Sequence, residues 1–433
     1  MKYKRIPKDL FIKNRSKLRE LILPGSSIIL HSNDEMHRNG DQNFRFRQSS
    51  DFFYLTGIDQ EKSVLVLNPK HPEEKFREVL FIIKPSPEQV TWNGYRLGSS
   101  DASEISGISN VQWLDEYEKI LPEILYRSQN IYLNMPEHIR YKAEFETRDA
   151  RMAKKIQTVF PLHSYHRLAP VLSKLRMIKE HEEIALINEA IRITRDSFIR
   201  VLQFLEPGVM EYEVEAEISY EFIRKGASGH AYEPIIASGI NACILHYIDN
   251  NKVCKNGELL LMDFGAEYAN YSADITRTIP VNGKFTSRQA KVYDANLRVL
   301  RNAIKLMKPG VLLSDFHAEA GKLWEEEHIK LGLYSAEDVK NHTAKPSLWY
   351  KYYMHGTSHS IGLDVHDTFD KAEKFQPGMV FSCEPGIYIT EEGFGIRIEN
   401  DILITEKGNT DLSKDIPVER EEIEDLMNKT KKS

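Results

Sequence analysis

Two hydrophobic patterns divide the chain into a first part of short strands and a second part that opens with a long helix. In the first part, apolar runs bounded by Pro, Gly, Asn or Asp predict buried strands at Ser27–His31, Ser63–Leu67, Val79–Ile83 and Asn130–Leu133. Further patterns predict helices at Glu116–Tyr126 and Ala143–Thr158, which makes this part mixed α/β. A basic segment from Arg167 to Lys179 follows. We therefore predict one domain over residues 1–172 and another over residues 173–433.

The second part begins with an amphipathic helix, predicted over Glu180–Leu205. Its apolar side chains fall on one face at helical spacing: Ile184, Ile187, Ile191, Phe198, Val201 and Leu205. The sequence Glu206-Pro207-Gly208 ends this helix, because proline cannot continue a helix and glycine favours its C-terminal end.

An internal repeat organises the second part. Residues 207–217, PGVMEYEVEAE, share Pro, Gly, Val, Ala and Glu with residues 309–319, PGVLLSDFHAE, and a long amphipathic helix precedes each segment. Residues 256–263, NGELLLMD, likewise align with residues 377–384, PGMVFSCE. Each half therefore reads as two helices and an apolar strand that ends in a carboxylate and then returns, over roughly 272–281 and 395–405. The matching order of the two pairs favours a duplicated fold.

The composition excludes several classes of protein. The 433 residues include 58 Lys and Arg against 64 Asp and Glu, so the chain lacks the clustered positive charge that non-specific nucleic-acid binding requires. No apolar stretch approaches the roughly 18 residues of a membrane span, and the basic N-terminus has no apolar secretory signal. Three cysteines cannot form a disulfide framework. We therefore expect a cytoplasmic protein without nucleic-acid or membrane partners.

Candidate chemistry lies where the duplicated strands end and return. Each half contributes two acidic residues there: Asp263, Asp274, Glu384 and Glu399. Buried carboxylates that converge repel one another, so they need a positive charge, and a divalent cation supplies the strongest one. The sequence HGTSHSIGLDVH adds His355, His359 and His366. Oxygen and nitrogen donors without sulfur suit Mn²⁺, Co²⁺, Fe²⁺ or Zn²⁺, and shared carboxylates indicate two ions about 3.5–4 Å apart.

These motifs resemble a known family. The segments MDFGAEYANYSADITRTIPVNG, HGTSHSIGLDVHD, EPGIYI and GIRIENDILIT resemble the pita-bread metallopeptidases, with aminopeptidase P as the nearest branch. FRFRQSSDFFYLTG and TWNGYRLG resemble the N-terminal domain of that branch. The resemblance implies an α/β (α+β) protein. A creatinase/prolidase-type mixed α/β domain would precede a pita-bread domain with internal pseudo-twofold duplication.

The resemblance also implies a role for each matching residue. Asp263 would chelate one metal, Asp274 and Glu399 would bridge both metals, and His359 and Glu384 would bind the other. Glu384 would also shuttle protons. The resemblance places three histidines, His246, His355 and His366, along the substrate site. Arg397 and Tyr388 would steady the ligands and close the site. A slot for proline would be lined by His355, His246, Tyr232 and Arg397.

The implied activity is hydrolysis of the N-terminal Xaa-Pro bond of peptides by a hydroxide that bridges two divalent metals. Mn²⁺ is the expected metal, with Co²⁺, Fe²⁺ or Zn²⁺ as alternatives. The substrates would be peptides with proline at the second position. The chain is expected to form a homo-oligomer, either a dimer or a tetramer. Its N-terminal domain would assist assembly and cover a neighbouring active site, with Trp92, Phe52, Phe53 and Tyr54 as surface candidates. Alternatively, the Phe-Phe-Tyr run fills the core of its own domain.

Other functions of the same fold remain open at this point. An Xaa-Pro dipeptidase (prolidase) shares the metal cluster but requires a dipeptide, and HGTSH resembles the aminopeptidase form more closely than the HGLGH form of prolidases. Methionine aminopeptidase normally lacks a separate domain in front. Creatinase uses no metal, and non-catalytic scaffolds of this fold usually lose ligands. This chain has a competent residue at all five ligand positions: Asp263, Asp274, His359, Glu384 and Glu399.

Overall fold

The computed structural model describes residues 3–137 and 144–429 and forms two compact units. One unit is Lys4–Arg176, and the other is Met177–Ser433 together with Met1–Tyr3. The division falls inside the basic segment that precedes the long helix. Within the described residues, no helix combines the length and apolar character that crossing a bilayer would need.

The N-terminal unit alternates helices and strands. Its elements in chain order are α1 (Lys8–Leu21), β1 (Ser26–His31), β2 (His37–Asn39), β3 (Gln42–Asn43), α2 (Ser50–Thr56), β4 (Val64–Leu67), β5 (Glu78–Ile82), α3 (Pro87–Asn93), α4 (Ser99–Ser106), β6 (Asn110–Trp113), α5 (Tyr117–Leu125), β7 (Asn130–Leu133), α6 (Arg148–Val159), β8 (Ser164–Arg167) and α7 (Ala169–Met177). Residue 143, where the sequence analysis began a helix, lies outside the described residues, and Thr147 caps α6.

A six-stranded mixed sheet, ordered β6-β5-β4-β1-β7-β8, organises this unit. Strands β1, β4 and β5 pair antiparallel, while β6, β7 and β8 join the sheet in parallel. The four predicted strands are confirmed as β1, β4, β5 and β7. The pattern missed β6 and β8 because these edge strands are only partly buried and lack an apolar run.

The aromatic run on α2 belongs to the core of its own unit. Phe52, Phe53 and Tyr54 are buried, so the alternative reading of this run is confirmed and they are not surface residues. Trp92 on α3 is 81% exposed. The proposed roles of this unit in assembly and in covering an active site stay predictions.

The C-terminal unit repeats one arrangement twice. Its elements are α8 (His181–Phe204), α9 (Glu211–Arg224), β9 (Gly229–His230), β10 (Ile235–Ser238), β11 (Leu259–Phe264), β12 (Ala266–Tyr268), β13 (Tyr271–Ser272), β14 (Ile275–Pro280), α10 (Ser287–Leu306), α11 (Leu313–Lys330), α12 (Ala336–Asn341), β15 (Val380–Cys383), β16 (Gly386–Ile389), β17 (Phe394–Arg397), β18 (Asn400–Thr405), β19 (Gly408–Asp411) and α13 (Arg420–Lys429). Two long helices precede each strand pair, β11–β14 and β15–β18, and the short α12 is added in the second half; both pairs are antiparallel.

The repeat seen in the sequence is visible in the backbone. The amide of Gly208 donates to the carbonyl of Cys254, and the amide of Gly310 donates to the carbonyl of Phe375, each at 2.9 Å. These equivalent bonds confirm the predicted duplication. Each half also inserts a hairpin between its paired strands, β12–β13 in the first and β16–β17 in the second, which the sequence analysis did not predict.

Arg277 on β14 joins the two halves. Its fully buried guanidinium donates to the carbonyls of Thr276, Glu399 and Pro417 at 2.6–2.9 Å and to Oδ1 of Asn400 at 2.8 Å. A planar guanidinium presents five N–H donors in a fixed arrangement, whereas the ammonium of lysine has three donors that radiate from one atom. Arg277 therefore fixes β14 against the segment that carries Glu399.

Replacing Arg277 with methionine should destabilise the protein strongly. The substitution leaves buried carbonyls without donors, so we expect the free energy of unfolding to fall by about 3–5 kcal/mol. Arg301→Met is the matched control, because the Arg301–Glu419 ion pair is about half exposed and should cost below about 1 kcal/mol. Urea unfolding followed by circular dichroism measures both changes. Equal losses in the two variants would contradict the assigned role of Arg277.

Candidate metal centre

The four predicted carboxylates occupy matching places at the strand ends. Asp263 lies in β11, and Asp274 immediately precedes β14. Glu384 immediately follows β15, and Glu399 immediately precedes β18. Because each pair of strands is antiparallel, both acidic residues of one half are brought to the same end of its strand pair.

Side chains from both halves converge on one centre. Potential ligand atoms of Asp274, His359 and Glu399 all lie within 4.8 Å of one another. Nε2 of His359 is 3.3 Å from Oδ2 of Asp274 and 3.5 Å from Oε1 of Glu384. The hydroxyl of Tyr232 lies 2.6 Å from Oδ1 of Asp263 and from Oδ1 of Asp274, which connects the fourth carboxylate to the group.

The ring of His359 is oriented as a metal ligand requires. Its Nδ1 faces the carbonyl oxygen of Ser360 at 3.2 Å and so must donate there. Nε2 is therefore the nitrogen that remains available to a metal, and it points at the carboxylates of Asp274 and Glu384. The backbone is held as well, because the amide of His359 donates to Oγ of Ser382 at 3.0 Å.

The electrostatics of the centre call for positive charge. Burial raises the pKa of Glu399 well above its usual range, and the charges of Asp274 and Glu384 raise it further. Burial likewise raises the pKa of Glu384 to about 7. Oε1 of Glu399 is buried and has no hydrogen-bond partner within the described part of the chain. An orphaned carboxylate oxygen beside two other acidic side chains fits an oxygen-rich divalent metal site.

A hydrogen-bonded chain leads from Asp263 to His355. Nη2 of Arg397 donates to Oδ2 of Asp263 at 2.6 Å, and Nη1 donates to the hydroxyl of Tyr388 at 2.8 Å. Nδ1 of His355 faces the carbonyl of Gly356, so its Nε2 accepts from the Tyr388 hydroxyl at 2.8 Å. Burial and the nearby Arg397 lower the pKa of His355 to about 3, which keeps this ring neutral.

The two remaining histidines lie at the exposed side of the centre. The ring of His366 meets the ring of His359 edge to face, with centroids 4.2 Å apart. His246 is exposed on the segment after β10, close enough to His355 for its charge to lower the pKa of that ring. All eleven predicted site residues thus fall in the C-terminal unit, and their individual roles stay predictions.

The sequence analysis missed polar residues that hold the ligands. Thr276 donates to Oε2 of Glu399 at 2.6 Å, and Oδ2 of Asp401 accepts from the amide of Asp274 at 3.1 Å. Each lies two residues after a predicted ligand. Side chains two apart share a face of a strand, so this spacing was the available signal.

Each of the two units matches a known protein family. Residues 185–406 match Metallopeptidase family M24, and residues 11–132 match Aminopeptidase P, N-terminal domain. The Xaa-Pro aminopeptidase of Haemophilus influenzae is 35% identical, and the match covers 98% of both chains. Aminopeptidase P of Escherichia coli with the inhibitor Pro-Leu superposes with a TM-score of 0.87, at 33% identity, covering 99% of this chain and 100% of the other. The zinc-substituted Escherichia coli enzyme with product gives the same TM-score and identity, covering 99% of each chain.

The orphaned Glu399 oxygen gives a test of the metal site that does not depend on activity. In Glu399→Gln, a neutral amide replaces one of several mutually repelling carboxylates and still accepts from Thr276. Without metal, we therefore expect its melting temperature at pH 7 to be at least that of the unsubstituted protein. Mn²⁺ at about 100 times its Kd should stabilise the unsubstituted protein by about 2.7 kcal/mol and stabilise this variant far less.

The control for this variant is Glu319→Gln, which changes an exposed residue of α11. Thermal unfolding of both variants with and without Mn²⁺ provides the measurement. A full Mn²⁺ shift in Glu399→Gln would remove Glu399 from the metal site.

Proposed function

Because the chain belongs to metallopeptidase family M24 and carries an aminopeptidase P N-terminal domain, we propose that it is an Xaa-Pro aminopeptidase. It would hydrolyse the bond between the first residue of a peptide and a proline at the second position. The observation that carries this proposal is the convergence of Asp274, His359 and Glu399 within 4.8 Å, with Asp263 and Glu384 beside them.

Two divalent cations are the proposed cofactor. The two oxygens of Asp274 face opposite ways, since Oδ1 contacts the hydroxyl shared with Asp263 and Oδ2 contacts His359. This orientation suits a carboxylate that bridges one cation near Asp263 and another near His359 and Glu384. Glu399, whose buried oxygen has no hydrogen-bond partner among the described residues, is the proposed second bridging residue. Four carboxylates and one imidazole without a thiolate favour Mn²⁺, with Co²⁺, Fe²⁺ or Zn²⁺ as alternatives.

When bound, such cations acidify a water molecule and polarise the scissile carbonyl. Glu384 is the proposed proton acceptor, because its two oxygens face different partners. Oε1 lies 3.5 Å from Nε2 of His359, and Oε2 lies 3.7 Å from Nδ1 of His355. A carboxylate between a metal ligand and a substrate-facing histidine can take a proton on one side and deliver it toward the proline nitrogen on the other.

The remaining residues would bind and orient the peptide. His246 and His366 are exposed beside the centre, where their rings can donate to peptide carbonyls. A neutral His355, held by Tyr388 and Arg397, would form a wall of the proline slot. Tyr232 would complete that slot. An Xaa-Pro bond has no N–H and a fixed φ, so a rigid slot selects it over ordinary peptide bonds.

Three unpaired cysteines support a reducing compartment, and we propose the cytoplasm. Assembly of the chain into a homo-oligomer stays a prediction.

A set of short peptides distinguishes the proposed activity from its alternatives. With Mn²⁺, we expect rapid release of alanine from Ala-Pro-Ala and a kcat/KM about a hundredfold or more below this for Ala-Ala-Ala. A chelator should abolish hydrolysis, and added Mn²⁺ should restore it. Cleavage of Ala-Pro alone would identify a dipeptidase. Less than one metal ion per chain, with no activity restored by metal, would indicate a binding scaffold instead.

A further inference from the structure

Glu211, the first residue of α9, is a buried carboxylate that the proposed chemistry does not use. It has no exposed surface, yet five donors surround it. Oε1 accepts from the amide and hydroxyl of Ser238 at 2.8 and 2.7 Å and from Nδ2 of Asn241 at 3.2 Å. Oε2 accepts from the hydroxyl of Tyr247 at 2.8 Å and from the amide of Lys252 at 2.9 Å.

All five donors belong to one stretch of chain, residues 238–252, which we call the His246 segment. The backbone amide of Glu211 also donates to the carbonyl of Lys252 at 2.9 Å, so the two ends of the segment are tied to one residue. No described lysine, arginine or histidine forms an ion pair with Glu211. Among the described residues only neutral donors bind its carboxylate, and they hold a segment that has no strand beyond Ser238, the last residue of β10.

The internal repeat shows that the fold itself does not require a carboxylate here. The residue 102 positions later is Leu313, which is likewise the first residue of its helix, α11, and is likewise buried. Both helices follow an equivalent bridge, Met210 with Val253 and Leu312 with Lys374. Burying a carboxylate costs more free energy than burying a leucine unless hydrogen bonds compensate. Because the fold does not require a carboxylate here, we attribute Glu211 to the hydrogen bonds that it makes with the His246 segment.

The direction of side chains along this segment links Glu211 to the centre. Tyr247 is buried in one hydrophobic cluster with Tyr388, and its hydroxyl donates to Glu211 at 2.8 Å. Its neighbours on both sides, His246 and Ile248, are exposed. Fixing the Tyr247 hydroxyl therefore fixes the backbone next to His246, in a segment that shares a hydrophobic cluster with Tyr388, the hydrogen-bond partner of His355.

We propose that Glu211 is a positioning residue that fixes the His246 segment and thereby holds His246 against the bound peptide. This inference rests on the proposed function, because His246 needs a peptide to act on. Glu211 itself touches neither the ligand cluster nor the substrate. Its loss should weaken peptide binding and leave the metal content unchanged.

A double-mutant cycle tests this positioning role. The four proteins are the unsubstituted enzyme, Glu211→Gln, His246→Ala and the double variant, each loaded with Mn²⁺ and assayed on Ala-Pro-Ala. Glutamine places an N–H₂ group where an oxygen accepted bonds, so the segment loosens. We expect each single change to raise KM about tenfold with a smaller effect on kcat. The double variant should be no worse than His246→Ala alone.

The matched control is Glu213→Gln, which alters an exposed residue of the same helix. The side chain of Glu213 accepts from the amide of Met210 in a capping contact, and glutamine can accept the same bond. It should leave kcat and KM unchanged. If Glu211→Gln does not fold, Tyr247→Phe and Asn241→Ala remove one donor each and should give smaller increases in KM, again absent in the His246→Ala background. Metal content per chain is measured for every variant.

Two outcomes would overturn the inference. One is a Glu211→Gln effect of equal size with and without His246, which marks a general structural role. The other is an effect confined to kcat with loss of metal. If the unsubstituted enzyme fails to cleave any Xaa-Pro peptide, the proposed function fails instead. Amide hydrogen exchange at Ser238 and Lys252 then still tests the anchoring, which predicts faster exchange in Glu211→Gln.

Discussion

Repulsion among four partly or fully buried carboxylates is the constraint on which the C-terminal unit depends. Asp263, Asp274, Glu384 and Glu399 bring four negative charges together, and Arg397 offers one nearby positive charge, to Asp263. Together with Arg397, one divalent cation would still leave one of the four negative charges uncompensated, whereas two cations would compensate all of them. His359 adds a neutral donor without changing this balance. The charge of the site therefore favours the two cations that are proposed above.

Duplication explains how a chain assembles such a site. Each half supplies two helices, one antiparallel strand pair and two carboxylates at its strand ends, so neither half holds the complete ligand set. Arg277 and Thr276 then tie the first half to the backbone and side chain of Glu399 in the second. Packing the two halves together thus also completes the proposed metal site. Metal binding would therefore stabilise the folded C-terminal unit.

The sequence predicted what depends on local pattern and missed what depends on distant contacts. Apolar runs located β1, β4, β5 and β7, and the repeat located the paired carboxylates. The hairpins β12–β13 and β16–β17 were missed because the returns over 272–281 and 395–405 read as single strands, whereas each return is interrupted, before β14 and before β18. Glu211 was missed for a different reason. A glutamate at a helix start is ordinarily a solvated residue near the positive end of the helix, and only contacts up to 41 residues away make it a buried anchor.

The two halves hold their histidine segments by different means, and the difference follows from where each segment lies. The His246 segment is tied by Glu211 to neutral donors. The corresponding segment with His366 is tied by Lys179 and Asp367, a buried ion pair 3.1 Å apart. That second segment also binds the backbone beside His359, the proposed metal ligand, because the amide of Asp367 donates to the carbonyl of Ser360. A lone carboxylate there would add to the repulsion at the centre, whereas an ion pair adds no net charge. The two duplicated halves can therefore use different residues to hold their histidine segments, while each half still brings its histidine segment to the site.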